Sequence, residues 1–83
     1  MKQLLYFGSS HCAPCHAMLP LVREIAAAHG IQLHEYDRDE CGALARAYGV
    51  QGVPCLILMD GSVMGDRIVG LVSRARIEGL IGG

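Results

Sequence analysis

The 83-residue sequence predicts a single α/β domain, residues 1–83, built as a four-stranded mixed sheet flanked by three helices in the order βαβαββα. Three observations predict it. Short apolar runs at Leu4–Phe7 and Cys55–Met59 are bounded by turn residues, as buried strands are. Between them Met18, Val22, Ile25 and Ala26 recur at helical spacing. Asp60-Gly61 then joins Cys55–Met59 to the run Ser62–Val69 with a two-residue hairpin signal. A right-handed crossover makes the first two strands parallel neighbours, and the hairpin adds an antiparallel edge.

Each element follows from its residues. Lys2 to Phe7 forms the first strand, and Gly8-Ser9-Ser10 is the loop after it. Pro14 to His29 is the first helix, with Gly30 as its left-handed stop and Pro20 as an expected kink. Ile31 to Tyr36 is the second strand. Asp37 or Asp39 is expected to cap a short helix carrying Leu44, Ala45 and Tyr48, ended by Gly49. Cys55 to Met59 and Ser62 to Val69 flank the Asp60-Gly61 turn, with Gly65 marking a bulge. Ser73 caps the last helix, which places Ile77, Leu80 and Ile81 on one face, and Gly82-Gly83 is expected to fray. Arg74, Arg76 and Glu78 read as its solvated face.

Composition narrows the function. Hydrophobic residues make up 52% against 18% charged, so burial outweighs chain entropy and the whole chain should fold. A net charge of −1 offers no basic field for nucleic acid or an anionic membrane surface. The N-terminal apolar run is shorter than the roughly 7–15 residues of a signal peptide, and no stretch reaches the ~18 of a membrane span. A cytoplasmic location is expected. There structural disulfides are rare, and a close cysteine pair points to catalysis or metal binding.

That pair is Cys12-Ala13-Pro14-Cys15. Two residues between cysteines at the first turn of a helix bring the sulfurs close enough to bridge, and the helix dipole favours a thiolate on the outer one. The same spacing also serves half a zinc site, with His11 or His16 as a further ligand. A second feature favours redox chemistry: Gly52-Val53-Pro54 opens the apolar Cys55–Met59 run, and a proline there needs a reason.

Taken in order, these positions resemble the thioredoxin family, in a short form without the extra N-terminal strand and helix of a full thioredoxin. The Cys-x-x-Cys is followed five residues later by Pro20, Val53-Pro54 matches the family's cis-proline, Asp60-Gly61 fills the hairpin, and Val69-Gly70 precedes the last helix. The resemblance spans almost the whole sequence and implies a thioredoxin-like fold. The chain departs from the pattern in carrying His11 and His16 where tryptophan and lysine usually flank the cysteines. Tyr6 stands where the family has a buried aspartate.

The resemblance implies a thiol–disulfide oxidoreductase acting on protein disulfides. Cys12, at the helix start, attacks a substrate disulfide; Cys15 resolves the mixed disulfide and leaves a Cys12–Cys15 bridge. Pro14, Val53, Pro54, Gly70 and Leu71 would contact substrate. The electron donor would be a flavin-containing, NADPH-dependent thioredoxin reductase; the chain itself would need no cofactor and no metal and would act as a monomer. His11 and His16 read either as modulators of the thiolate or as solvated surface residues. His29 suits a helix carboxyl end, and His34 reads as a strand surface residue. Cys41 and Cys55 read as packing residues, with Cys55, next to Pro54, also a candidate for regulating the pair. Two other functions stay open: glutaredoxin-like exchange with glutathione, and a metal- or thiol-binding module without catalysis.

Overall fold

The structure, a computed structural model, describes residues 1–82. Among these the elements run β1 (Lys2–Gly8), α1 (Ala13–Ala28), β2 (Gln32–Asp37), α2 (Gly42–Ala47), β3 (Cys55–Asp60), β4 (Val63–Val69) and α3 (Arg74–Gly82). The sheet order is β2-β1-β3-β4. β1 is parallel to β2 and antiparallel to β3, and β3 and β4 form the hairpin. The expected βαβαββα order and mixed sheet are therefore the ones that form.

The period of two along each strand divides the core into layers. Leu4 and Tyr6 of β1 and Leu56 of β3 pack with Met18, Val22 and Ile25 of α1 and Ile77 and Leu80 of α3. Leu5 and Phe7, with Cys55, Ile57 and Met59, pack on the opposite face against Ala45 and Val50, under α2. Both faces of the central strands are covered, so β1 and β3 are continuous apolar runs and do not alternate with polar residues. Pro20 lies inside α1, which runs unbroken from Ala13 to Ala28.

Two local expectations are corrected. Neither Asp37 nor Asp39 caps α2; Cys41 occupies the N-cap without a side-chain hydrogen bond. Asp37 is committed to the turn before it, where its carboxylate accepts from Asp39 N–H at 2.8 Å and its carbonyl from Cys41 N–H at 2.8 Å. The hairpin turn is also one residue later than expected. Asp60 pairs with Val63, so Gly61 and Ser62 make the turn, and Gly61 takes the positive φ of +62°. Asp60 is held in the strand from its other side by the N-terminal amine of Met1 at 3.2 Å.

Other expectations stand. The β3–β4 register shifts between Ile57 and Met59, opposite the segment containing Gly65, which is the bulge. A Cβ at Gly65 would meet the Leu58 carbonyl oxygen at 3.1 Å. Ser73 caps α3, its Oγ accepting from Arg76 N–H at 3.2 Å. Gly82 is the last residue of α3, and Gly83, the other residue expected to fray, lies outside the described residues. His34 is tied to Gln3 across the β1–β2 ladder at 3.1 Å, and His29 lies 3.7 Å from Glu78.

Candidate active site

The chain leaves β1 at Gly8 into a loop fastened on both sides. Arg38 N–H donates to the Gly8 carbonyl at 2.7 Å, and the Ser9 hydroxyl donates to the Asp39 carboxylate at 2.7 Å. Gly8 is required here because a Cβ would lie 2.9 Å from the Tyr6 ring. The loop delivers Cys12 to the N-cap of α1 in an extended conformation, the position at which the helix's unpaired N–H groups point outward.

At that N-cap the side chain is a sulfur. Cys12 Sγ accepts from Cys15 N–H at 3.2 Å, the bond a capping oxygen would make elsewhere. The two cysteines, with Cα atoms 5.2 Å apart, are disulfide-bonded. They differ in access: Cys12 is half-buried, while Cys15 is 4% exposed. An incoming disulfide meets Cys12 first. The helix N-terminus stabilises negative charge on that sulfur when the bridge is reduced.

The second expected segment converges on the first. Val53-Pro54 is a cis peptide, and Cys12 Sγ lies 3.9 Å from the Val53 carbonyl oxygen. Gly70 N–H donates to the Pro54 carbonyl at 2.8 Å, which brings the β4–α3 connection alongside. Gly70 adopts a φ of +95°, open to glycine and rarely to other residues. Val69 and Leu71 on either side of it are exposed, as is Pro14 in the first turn of α1. Four of the expected positions, Cys12, Val53, Pro54 and Gly70, are thus linked by contacts, with Leu71 beside them and Pro14 beside the cysteines in sequence.

Neither histidine ring hydrogen-bonds a cysteine sulfur. His16 Nε2 lies 2.9 Å from the Ser10 carbonyl oxygen, bracing the loop, and His11 is exposed, its backbone N–H donating to Ser9 Oγ. Cys55 is fully buried in the cluster beneath α2, across the sheet from the helix that carries the pair. Burial pushes its thiol up from the ordinary value, with the Arg67 guanidinium opposing it. Cys41 is half-buried at the start of α2. Cys41 should therefore alkylate in the native protein while Cys55 reacts only after denaturation, as peptide mass mapping after timed alkylation would show. Equal rates would refute this placement.

Sequence reasoning located neither partner of Tyr6. Its hydroxyl donates to the Cys15 carbonyl at 3.0 Å, tying β1 to the first turn of α1. Burial, reinforced by the nearby Glu35 carboxylate and opposed by Arg23, pushes the phenol up to about 12, so it remains a donor at neutral pH. Glu35 is the register partner of Tyr6 on β2. Arg23 of α1 grips Glu35 with two hydrogen bonds, at 2.8 and 2.7 Å, and holds its carboxyl below the ordinary range against partial desolvation. Tyr6, Cys15, His16, Glu35 and Asp37 share a cavity of about 300 Å³. Only the register of β1 on β2 could have linked Tyr6 to Glu35 in advance, and nothing local to either residue signals it. Among the described residues no group of three or more His, Cys, Asp or Glu is placed to hold a metal ion, and no helix is long and apolar enough to cross a membrane.

Comparison with known proteins agrees with this geometry. The family model for thioredoxin matches residues 1–82. Thioredoxin from Mycolicibacterium smegmatis is 35% identical over a match covering 89% of this chain and 70% of that protein. Chloroplastic thioredoxin M4 of Arabidopsis thaliana is 31% identical, the match covering 90% of this chain but 40% of the plant protein. A mutant thioredoxin from Halobacterium salinarum superposes with a TM-score of 0.91 at 35% identity, over 96% of this chain and 71% of that one. With a cysteine pair bonded at the first turn of α1, the chain belongs to the thioredoxin family and carries a dithiol site for thiol–disulfide exchange.

Proposed function

We propose that the chain reduces disulfides of protein substrates in the cytoplasm, as a monomer regenerated by a flavin-containing, NADPH-dependent reductase. The observation that carries this reading is the placement of Cys12 Sγ, half-exposed at a helix N-terminus and 3.9 Å from the Val53 carbonyl oxygen. An extended substrate segment can pair with the Val53 backbone and bring its own disulfide over Cys12, the main-chain recognition that suits varied sequences. Pro14, Val53 and Leu71 then supply apolar contact. Two unpaired cysteines, Cys41 and Cys55, suit a reducing compartment.

The electron path is a dithiol–disulfide exchange. Cys12 thiolate attacks the substrate disulfide, one substrate thiolate leaves, and Cys12 is held in a mixed disulfide. Cys15 then attacks Cys12, releases the second substrate thiol and restores the bridge seen here. The reductase returns two electrons to that bridge. NADPH with a thioredoxin reductase should sustain reduction of a disulfide-bonded test protein, whereas glutathione with glutathione reductase should not. Turnover with glutathione alone would move the chain to a glutaredoxin-type activity.

A further inference from the structure

We propose that the cavity beneath Cys15 is the route by which this thiol gives up its proton, with Glu35 at its mouth as the accepting carboxylate. The inference rests on the dithiol reading above and concerns its second step. In that step the Cys15 Sγ–Cys12 Sγ bond forms and the bond between Cys12 Sγ and the substrate sulfur breaks. The electron pair departs on the substrate thiolate. The proton of Cys15 must leave as its sulfur attacks, and Cys15 is 4% exposed.

The surroundings restrict where it can go. Tyr6, from β1, touches Cys15 through its hydroxyl, but that hydroxyl is spent donating to the Cys15 carbonyl and keeps its proton at neutral pH. His16, from α1, turns its Nε2 toward the Ser10 carbonyl. Asp37 lies at the far end of β2, where it pairs in register with Gly8 and serves its own turn by accepting from Asp39 N–H, and Ser9 and Ser10 line the cavity without an ionisable group. Glu35 remains. It pairs in register with Tyr6, its charge is felt by the Tyr6 phenol, and it lines the same cavity as Cys15. At about 300 Å³ the cavity has room for several waters, and although its walls are largely apolar, Ser9, Ser10, His16, Glu35 and Asp37 line it with polar groups that such waters can bond. Arg23 fixes the carboxylate and keeps it in the ionised form, which can relay a proton from cavity water to bulk solvent at its exposed side without holding it.

The test uses the reduced full chain and a chromogenic aromatic disulfide. Attack by Cys12 releases a first equivalent of coloured thiol, and resolution by Cys15 releases a second, so stopped-flow absorbance separates the two steps. Glu35→Gln should leave the first phase unchanged and slow the second by about tenfold to a hundredfold, at or just below the lower end of general-base contributions, as suits a relay through water. Its second phase should also become steeply pH-dependent, falling about tenfold per pH unit below neutrality, where the wild type stays nearly flat. Arg23→Gln removes the ion pair but retains the carboxylate, and its second phase should stay within about threefold of wild type; Glu35→Asp should recover part of the rate. Both substitutions lie on the surface, where such pairs add little to stability, so the variants fold. Equal second phases in Glu35→Gln and wild type would overturn the proposal, as would equal losses in Glu35→Gln and Arg23→Gln. Absence of the first phase in the wild type would instead remove the dithiol reading, and this proposal with it.

Discussion

Cys12→Ser should abolish turnover of any disulfide substrate while leaving the fold intact. The serine hydroxyl can still accept from Cys15 N–H at the N-cap, a position serine fills well, so the first turn of α1 is retained. What is lost is the sulfur that substrate meets first. Cys15 cannot replace it: at 4% exposure beneath the first turn, it is out of reach of a protein disulfide. Measured rates should drop to the uncatalysed background, with a circular dichroism spectrum that overlays the wild type. Substantial residual turnover would mean that Cys15 is the attacking group and that the access argument is wrong.

Phe7→Ala should cost about 3–5 kcal/mol, the range for emptying a buried aromatic site. Phe7 is fully buried, with ring centroids 5.2 Å from Tyr36 and 6.1 Å from Tyr48, and it packs against the α2 side of the sheet with Cys55 and Ile57. A domain of 83 residues has a total stability of only about 4–12 kcal/mol, so this one change takes a quarter or more of it. Phe7 also precedes Gly8, where the strand hands over to the loop that positions Cys12, so local loosening reaches the site before the whole domain unfolds. Urea titration should show a midpoint well below that of wild type with an unchanged slope. A loss under about 1 kcal/mol would show that the neighbouring rings collapse into the space.

The site was legible where its chemistry is local. Cys12-Ala13-Pro14-Cys15 and Gly52-Val53-Pro54 are short, each demands an explanation from its own residues, and the structure brings Cys12 against Val53. Gly70 could be named only through the resemblance, as the glycine before the last helix, and the structure shows the backbone need behind it in its positive φ and its bond to Pro54. The Tyr6–Cys15–Glu35–Arg23 cluster was not legible, because its members come from three elements and meet only through the β1–β2 register and the packing of α1. The start of α2 was misread for a related reason. Asp37 and Asp39 both have capping chemistry, and composition alone does not show that the first serves its own turn while the second receives Ser9 from across the site. The hairpin lies one residue later than the Asp60-Gly61 signal because Gly61, with its positive φ, takes the first turn position and leaves Asp60 paired with Val63 in the ladder.

The central claim is the unequal division of labour between two cysteines at one helix N-terminus. Cys15→Ser, incubated in reduced form with a disulfide-bonded peptide, isolates it. Mass spectrometry of the intact protein should show a stable adduct of one peptide half, and digestion should locate it on Cys12. An unmodified protein, or an adduct on Cys41, would contradict the account.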